Sequence, residues 1–276
     1  MSDSEQLQRD QSERYELAQR IAKSAGKLTL NWFQTDRFEV EMKADRSPLT
    51  VADRESETHL REQIAKHFPD DSIVGEEFGV TEGSSPWRWI LDPIDGTKSF
   101  ISGVPLYGTM VAVDRAVEGS NDRECAIGSV YIPGLDEGIH AMKGQGAWHF
   151  RGTDQAVRAS VSKTTSIADA VLATSEVETF GEVGAKEVWD RLANEVYFCR
   201  TWGDVYGYLL LATGRIEVMI DAKLNIWDAA AVMPIVQEAG GTFTDFNGAS
   251  KIDSGNAVAS NGSIHDRLLE LIGTKA

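Results

Sequence analysis

Two aspartates follow an apolar segment at a spacing that would let both bind one metal ion. The segment WILDPIDGTKSF occupies residues 89–100, and its carboxylates are those of Asp92 and Asp95. Pro93 donates no backbone N–H, so we expect the strand that enters the segment to end there and the two carboxylates to converge. The peptide carbonyl of Ile94 lies between them and can join them. Oxygen ligands of this kind are the ones that Mg²⁺ prefers in proteins.

The two residues after Asp95 are suited to binding phosphate. Gly96 permits a backbone conformation that other residues resist, and Thr97 offers a hydroxyl and an N–H just before a predicted short helix over residues 98–102. Backbone N–H groups at a helix start attract anions. Asp-Gly alone is an ordinary turn dipeptide, but the whole string LDPIDGT after a strand is far more specific.

The spacing of the two aspartates also bears on the kind of phosphatase chemistry. Phosphatases that phosphorylate their own aspartate carry one residue between two aspartates, before Gly-Thr. Here two residues separate Asp92 from Asp95, which in an extended chain places the second carboxylate on the opposite face. The spacing therefore favours metal ligands over a covalent nucleophile.

Three further acids lie where predicted helices and strands begin or end. Glu76 follows a short strand at residues 72–74, and a neighbouring strand would place it beside Asp92. Asp228 opens an apolar and therefore buried helix, where it could be a plain N-cap or a metal ligand. Asp53 lies in the first turn of a helix over residues 51–68, where the helix dipole alone favours a carboxylate.

Taken together, these acids suggest metal-assisted phosphoryl hydrolysis. Two cations about 3.5–4 Å apart would clamp the phosphate and lower the pKa of a bound water, and Asp53 beside Thr97 would polarise that water. No GxxxxGK loop and no CxxC pair is present, and the five histidines show no metal-ligand spacing.

Composition narrows the partners and the compartment. The chain has 276 residues, with 42% hydrophobic and 25% charged residues, as in ordinary globular proteins. Its net charge of −16 argues against nucleic acid and anionic membranes, and it would repel a small phosphorylated metabolite unless bound cations reverse the local field. Two cysteines, no apolar signal core and no run of about 20 apolar residues favour a reduced, cytoplasmic protein without a membrane span.

Hydrophobic periodicity gives a coarse order of elements. Residues 1 to about 12 are expected to be frayed, a helix to run from Tyr15 to Phe33, and a polar loop to fill residues 34–48. A run of strands follows between residues 106 and 142. The second half has predicted helices at residues 182–194 and 204–212, with strands at 170–174 and 216–220. We expect two halves, residues 1–150 and 151–276, packed as one compact unit, with most metal ligands in the first and Asp228 in the second.

Three strings in this order resemble the inositol monophosphatase family: GEE at residues 75–77, LDPIDGT at 91–97 and WDAA at 227–230. The resemblance spans nearly the whole chain. It implies an α+β fold with layers in the order α-β-α-β-α, a homodimer, sensitivity to lithium and two or three Mg²⁺ per active site.

The resemblance also implies roles for individual residues. Glu76, Asp92 and the Ile94 carbonyl would bind the first metal, and Glu76 would also help to hold a third, weaker one. Asp92, Asp95 and Asp228 would bind the second. Gly96 and Thr97 would bind the phosphate, and Thr97 with Asp53 would activate the water.

The substrate is predicted from strings that resemble the histidinol-phosphatase branch of the family. They are RTWGDVYGY at residues 200–208, DAKLNIWD at 221–228 and KSFISGVPLYGT at 98–109. Family members that act on inositol phosphates typically have Glu at the position of Asp221. Asp204 and Asp221 would complement the positive end of histidinol phosphate, with Trp202 beside them. Inositol 1-phosphate or another sugar monophosphate is the alternative, and a metal-binding regulatory dimer without turnover is a further one.

Overall fold

The computed structural model describes residues 3–35, 40–42 and 48–273. Within these residues, helices α1 to α9 are Asp3–Thr29, Val51–His67, Thr97–Ile101, Glu178–Glu182, Lys186–Glu195, Asp204–Ala212, Ile226–Ala230, Val232–Glu238 and His265–Gly273. Strands β1 to β15 are Glu41–Met42, Pro48–Leu49, Ser72–Gly75, Gly79–Thr81, Trp87–Asp95, Gly108–Ala116, Arg123–Ile132, Glu137–Met142, Gly146–Arg151, Val157–Arg158, Val171–Ala173, Phe198–Arg200, Val218–Asp221, Thr242–Thr244 and Ala257–Ser260. Pro133–Leu135 and Ile167–Asp169 are short 3-10 helices.

The elements form five layers. An eight-stranded sheet has the order β10-β9-β8-β7-β6-β5-β3-β4, and a five-stranded sheet has the order β12-β11-β13-β15-β14. Helices α1 and α2 cover the outer face of the large sheet, and α6, α7 and α8 lie between the two sheets. Helices α5 and α9 cover the outer face of the small sheet. The predicted α-β-α-β-α order is therefore confirmed.

Apolar residues at helical spacing attach α1 to the large sheet. Leu17 and Ile21 are almost fully buried and belong to one cluster with Trp89 and Val111 of the sheet. Burying each aliphatic side chain of this size contributes about 1.5–3 kcal/mol. The predicted apolar face of the first helix is thus the face that packs.

The first helix is longer at its beginning than the sequence suggested. The expected fraying of residues 1 to about 12 is wrong for the described part, because α1 already begins at Asp3. Side-chain pairs one turn apart support this polar segment: Gln6 donates to Asp10 at 2.6 Å and Arg9 to Glu13 at 3.0 Å. Residues 1 and 2 lie outside the described residues.

Two other predicted segments differ from the structure. The expected loop over residues 34–48 contains 36–39 and 43–47, which lie outside the described residues, while its described parts contribute β1 and β2, an antiparallel pair. The single helix predicted over 182–194 is two helices, α4 and α5. Gly184 lies between them at a φ of 73°, a left-handed conformation that ends a helix.

Strand β5 passes through Pro93 instead of ending at it. Asp92 pairs with Met110 and Asp95 with Gly108, so an advance of three residues along β5 corresponds to only two residues along β6. The extra residue forms a bulge, and a proline is tolerated there because the bulge leaves a ladder position without a hydrogen bond. The expectation that the strand stops at Pro93 is therefore wrong, and the bulge is what re-aims the carboxylates that flank it.

A buried carboxylate ties the large sheet to the turn after α6. Glu137 of β8 is 1% exposed and accepts hydrogen bonds from His149 at 2.7 Å, Arg151 at 3.1 Å and Arg215 at 2.8 Å. Three donors compensate the charge of one buried carboxylate, so the group stabilises the contact between the two parts of the chain.

The boundary between the predicted halves stays a prediction. Strand β10, at residues 157–158, still pairs with β9 of the large sheet. Pro234 lies in the first turn of α8, where its missing N–H leaves no helical bond unmade. Among the helices of the described residues, none is both long enough and apolar enough to span a bilayer.

Candidate active site

Three carboxylates from two elements converge at the end of β5. Oxygen atoms of Asp92, Asp95 and Asp228 all lie within 4.8 Å of one another. Asp92 and Asp95 flank the bulge of β5, and Asp228 is brought to them by α7, which packs on that strand. These three predicted metal ligands are therefore adjacent in the structure.

The buried position of Asp92 is compatible with a cation site. Asp92 is 2% exposed, and its Oδ1 has no hydrogen-bond partner within the described residues. A buried carboxylate oxygen normally has a partner, because its desolvation is otherwise uncompensated. All the donors here are hard oxygens, which are the ligands of Mg²⁺. The residues therefore fit a divalent cation.

Burial and, after it, mutual repulsion raise the pKa values of the cluster. Burial is the largest cause for Asp92, followed by the charges of Glu76, Asp95 and Asp228, and its pKa is well above the usual range. Burial likewise raises the pKa of Asp228 to about 7, with the charge of Glu76 adding to it. Such a cluster favours either protons or a cation, since like charges at this separation are costly.

Glu76 occupies a tight turn next to the cluster. It is the first of three residues that connect β3 to β4, and its N–H donates to the carbonyl of Leu91 at 3.3 Å. β3 runs parallel to β5 with Gly75 opposite Leu91, so the turn begins where Asp92 follows. The sequence prediction that Glu76 lies near Asp92 thus agrees with the charge effect on that group.

Asp53 and Asp228 both help to cap the helix on which they lie. Asp53 Oδ2 accepts from the N–H and the hydroxyl of Thr50, each at 2.7 Å, and Asp228 Oδ2 accepts from the N–H of Asn225 at 2.6 Å. The N-cap of α7 is therefore Asn225, and Asp228 lies three residues further on. Only one oxygen of each carboxylate takes part in these bonds, so capping and metal binding are not alternatives for Asp228.

Asp53 lies close enough to the cluster to contribute to its field. Its charge is one of the causes that raise the pKa of Asp92. The residue before it, Ala52, packs with Ile94 and Phe100 around the start of α3. A direct contact between Asp53 and Thr97 stays a prediction.

Gly96 and Thr97 form the turn into α3. Gly96 has a φ of 84°, the left-handed conformation that its residue type permits, and Thr97 is the first residue of the helix. The Thr97 hydroxyl donates to the carbonyl of Ile94 at 3.1 Å. This carbonyl, predicted to bind metal, thus lies beside the hydroxyl predicted to act on the water.

Asp204 lies against this turn, although it is far away in sequence. A Cβ added at Gly96 would be 2.7 Å from Asp204 Oδ2. Asp204 has a φ of 53°, which is strained for a residue with a side chain, and its N–H donates to Ser175 Oγ at 2.9 Å. The next N–H, of Val205, donates to Asp95, so α6 is hydrogen-bonded to the carboxylate cluster.

Asp221 lies behind Asp204 and is 3% exposed. It accepts from the N–H of Ser175 at 2.8 Å, the Thr174 hydroxyl at 3.2 Å and the Tyr208 hydroxyl at 2.9 Å. Ser175 therefore links both acids, since it donates to Asp221 and accepts from Asp204. Contact of Asp221 with a substrate stays a prediction.

Trp202 lies two residues before Asp204 in the chain. It is 38% exposed, and its ring contacts that of Phe198 edge-on at 6.3 Å between centroids. Its predicted contact with a substrate also stays a prediction.

Two charged residues that the sequence did not single out lie on the same side. Lys98 and Glu176 form an ion pair, and the charges of both act on Asp204. Burial is the largest cause that raises the pKa of Asp204 to about 7, followed by the charges of Asp221 and Glu176. No local motif marks Glu176, since only the fold places it here.

Comparisons with known proteins agree with this arrangement. The sequence profile of the inositol monophosphatase family matches residues 10–275. A histidinol-phosphatase of Streptomyces coelicolor is 38% identical over 92% of this chain and 94% of its own length. A histidinol-phosphatase of Chlorobaculum parvum is 40% identical over 94% of this chain and 96% of its own. The crystal structure of the extragenic suppressor protein SuhB from Bartonella henselae superposes with a TM-score of 0.84 at 27% identity, covering 95% and 98% of the two chains.

The fold, the carboxylate cluster and these matches define the class of protein. The chain belongs to the inositol monophosphatase family. It is a phosphoric monoester hydrolase, as the sequence predicted.

Proposed function

We propose that the protein hydrolyses histidinol phosphate to histidinol and inorganic phosphate. The relatives named histidinol-phosphatase support this substrate, with 38–40% identity over nearly the whole chain. The observation that carries the proposal is the position of Asp204, whose carboxylate lies against Gly96 at the turn predicted to bind phosphate. An acid at this point would face the part of the substrate next to its phosphate.

We propose that Mg²⁺ binds at Glu76, Asp92, the Ile94 carbonyl, Asp95 and Asp228, with two or three ions per site. The fit rests on the convergence of three carboxylates and on the unpartnered Oδ1 of Asp92. Bound Mg²⁺ would neutralise these charges, polarise the phosphoryl group and lower the pKa of a coordinated water.

The residues around the turn suit direct attack by water. Thr97 would orient the water with its hydroxyl, and Asp53 would take the proton as the new P–O bond forms. The ester P–O bond then breaks, and the leaving oxygen takes a proton from solvent to become the alcohol of histidinol. Thus no phosphorylated aspartate is part of the cycle, and hydrolysis in ¹⁸O water should place one label in phosphate and none in the protein.

The amine of the substrate gives the site its preference. Asp204 and Glu176 place two carboxyl groups on one side of the phosphate turn, with Lys98 paired to Glu176. A charge-assisted hydrogen bond from an ammonium to a carboxylate contributes about 1.5–3 kcal/mol. This corresponds to roughly ten- to hundredfold in kcat/KM, which a neutral inositol ring would not gain. Asp221 would support this side by holding Ser175, and thereby Asp204, in place.

The test is a direct comparison of kcat/KM for histidinol phosphate and inositol 1-phosphate with Mg²⁺. We expect histidinol phosphate to be preferred at least about tenfold. Asp204→Asn should erode this preference while hydrolysis of a neutral aryl phosphate is largely kept. A preference of the wild type for inositol 1-phosphate would refute the histidinol assignment and leave the alternative that the family name suggests. Absence of phosphate release from every ester tested would favour a regulatory metal-binding protein.

Metal dependence is tested separately. EDTA should abolish phosphate release by the wild type, and added Mg²⁺ should restore it.

The two cysteines and the absence of an apolar signal core support a cytoplasmic location, and the family resemblance further supports a homodimer that lithium inhibits. Analytical ultracentrifugation and titration with LiCl against NaCl would check the last two of these.

A further inference from the structure

The position of Glu76 depends on a turn of only three residues at the edge of the large sheet. Gly75 pairs with Gly79, so residues 76–78 alone connect β3 to β4. β4 is the edge strand, and all three of its residues are exposed. Little packing therefore holds the turn from its outer side, since a short exposed edge strand contributes few buried contacts.

A buried carboxylate of α2 holds the turn from within. Glu57 is 0% exposed, and its Oε2 accepts the N–H of Glu77 at 2.7 Å while its Oε1 accepts the N–H of Phe78 at 3.2 Å. Its approach to the turn is so close that a Cβ at Gly75 would lie 2.0 Å from Glu57 Oε1. The two N–H groups that follow Glu76 are thus fixed by one side chain.

Arg61, one turn further along α2, completes this arrangement. Its Nε donates to Glu57 Oε1 at 2.7 Å, and it bridges to the Thr81 hydroxyl at 3.0 Å and to the carbonyl of Gly79. The guanidinium therefore compensates the buried charge of Glu57 and attaches β4 to the same helix. Asp53 lies one helical turn before Glu57. Helix α2 therefore places Asp53 near the carboxylate cluster and Glu57 against the turn of residues 76–78.

We infer that Glu57 is a positioning residue for the metal site: it fixes the turn of residues 76–78 and thereby the carboxylate of Glu76. The inference rests on the proposed function, because it needs Glu76 to be a metal ligand. A ligand on an unclamped turn would lose conformational entropy on binding a cation, whereas a fixed turn has lost it already. Residues that orient metal ligands typically change metal affinity by about 10–100-fold when they are replaced.

The test is binding of Mn²⁺, which takes the same oxygen ligands, to the metal-free protein, with the free ion counted by its EPR signal. The variant is Glu57→Gln. The two turn amides bond to separate oxygens of Glu57, and an amide side chain keeps only one of them. We expect the Mn²⁺ dissociation constant to rise about tenfold or more, with faster hydrogen exchange at the amide of Glu77 or Phe78. At saturating metal, kcat should return to within about threefold of wild type.

Glu238→Gln is the matched control. Glu238 also clamps a turn, accepting the N–H groups of Gly144 at 2.8 Å and Gly146 at 2.7 Å, at a place that is not part of the site. This variant should speed exchange in its own turn and leave Mn²⁺ binding unchanged. Equal affinity in Glu57→Gln and wild type, or an equal loss in both variants, would overturn the inference.

If Glu57→Gln does not fold, the milder variant Arg61→Gln tests whether the clamp affects metal affinity. It removes the attachment of β4 but leaves both acceptors for the turn amides, so a smaller rise of about threefold in the dissociation constant is expected. An unchanged constant in this folded variant would count against the clamp. If the wild type itself binds no Mn²⁺, the proposed metal site is wrong. If the wild type binds Mn²⁺ and Glu57→Gln binds it equally well, only the inference about Glu57 is wrong.

Discussion

Replacing Asp92 by asparagine should stabilise the metal-free protein while it destroys the proposed metal site. In the absence of a cation, the Asp92 carboxylate is buried, has an unpartnered Oδ1 and is repelled by four neighbouring acids. A buried unsatisfied polar group costs about 1–3 kcal/mol, and more when it is charged. An amide of the same shape removes the charge and can donate to a neighbouring carboxylate.

The expected size follows from this cost. A gain of about 2 kcal/mol in the free energy of unfolding would raise Tm by roughly 4–8 °C in EDTA. Mg²⁺ at 100 times its dissociation constant would stabilise the wild type by about 2.7 kcal/mol, whereas Asp92→Asn should gain little from it. The order of the two Tm values in EDTA should therefore reverse in saturating Mg²⁺, and phosphate release by the variant should be near zero.

Asp114→Asn is the control for removing a buried carboxylate. Asp114 is 0% exposed and is paired with Arg88 and Arg123. Breaking a buried ion pair costs about 3–5 kcal/mol, so this variant should lower Tm and keep the rise with Mg²⁺. Differential scanning calorimetry of the three proteins with EDTA and with Mg²⁺ makes the measurement. A lower Tm of Asp92→Asn than of wild type in EDTA would refute the reasoning, because the cluster would then not be under electrostatic strain.

Three further outcomes are expected. Thr97→Ala should lower kcat by about 10²–10⁴ if its hydroxyl orients the water, and rapid-quench assays at saturating substrate would show this. Gly96→Ala should lower kcat/KM more for histidinol phosphate than for a neutral aryl phosphate, because the added methyl meets the carboxylate of Asp204 at 2.7 Å; equal losses would contradict this. Burial alone would raise the pKa of Glu137, but hydrogen bonds and cationic partners outweigh it and lower the pKa to about 2. Its charge should stabilise the fold by roughly 3 kcal/mol above pH 4.5, and urea unfolding should show this advantage over Glu137→Gln vanishing as the pH falls from about 4.5 to 2.

Local sequence was enough to predict the elements that depend on near neighbours. Helix α6 has the predicted bounds of residues 204–212. The segment LDPIDGT, at residues 91–97, connects a strand to a helix, as predicted. The course of β5 through Pro93 was not predictable in this way. It depends on pairing with β6, a strand whose register with Asp92 and Asp95 cannot be read from either segment alone.

The contacts on which the proposed substrate selectivity depends are long-range for the same reason. Asp204 lies against Gly96, and Glu176 pairs with Lys98 across 78 positions of sequence. Neither pair has a local pattern, since both arise from the packing of α6 and its neighbours on the large sheet. The prediction that Asp204 faces the positive end of the substrate came from family resemblance and charge complementarity, and its contact with Gly96 was not predicted.

The helix caps explain how so many acids remain together in a stable fold. Asp53 and Asp228 each use Oδ2 to accept a backbone N–H at the start of a helix, and Asp95 accepts the N–H of Val205 at the start of α6. These bonds partly compensate charges that would otherwise repel one another, and the helix dipoles act in the same direction. Asp92 has no such cap for its Oδ1 among the described residues. Asp92 is therefore the acid of the cluster whose negative charge most needs a bound cation. For this reason a substitution at Asp92, and not at the capped acids, should separate metal binding from folding most cleanly.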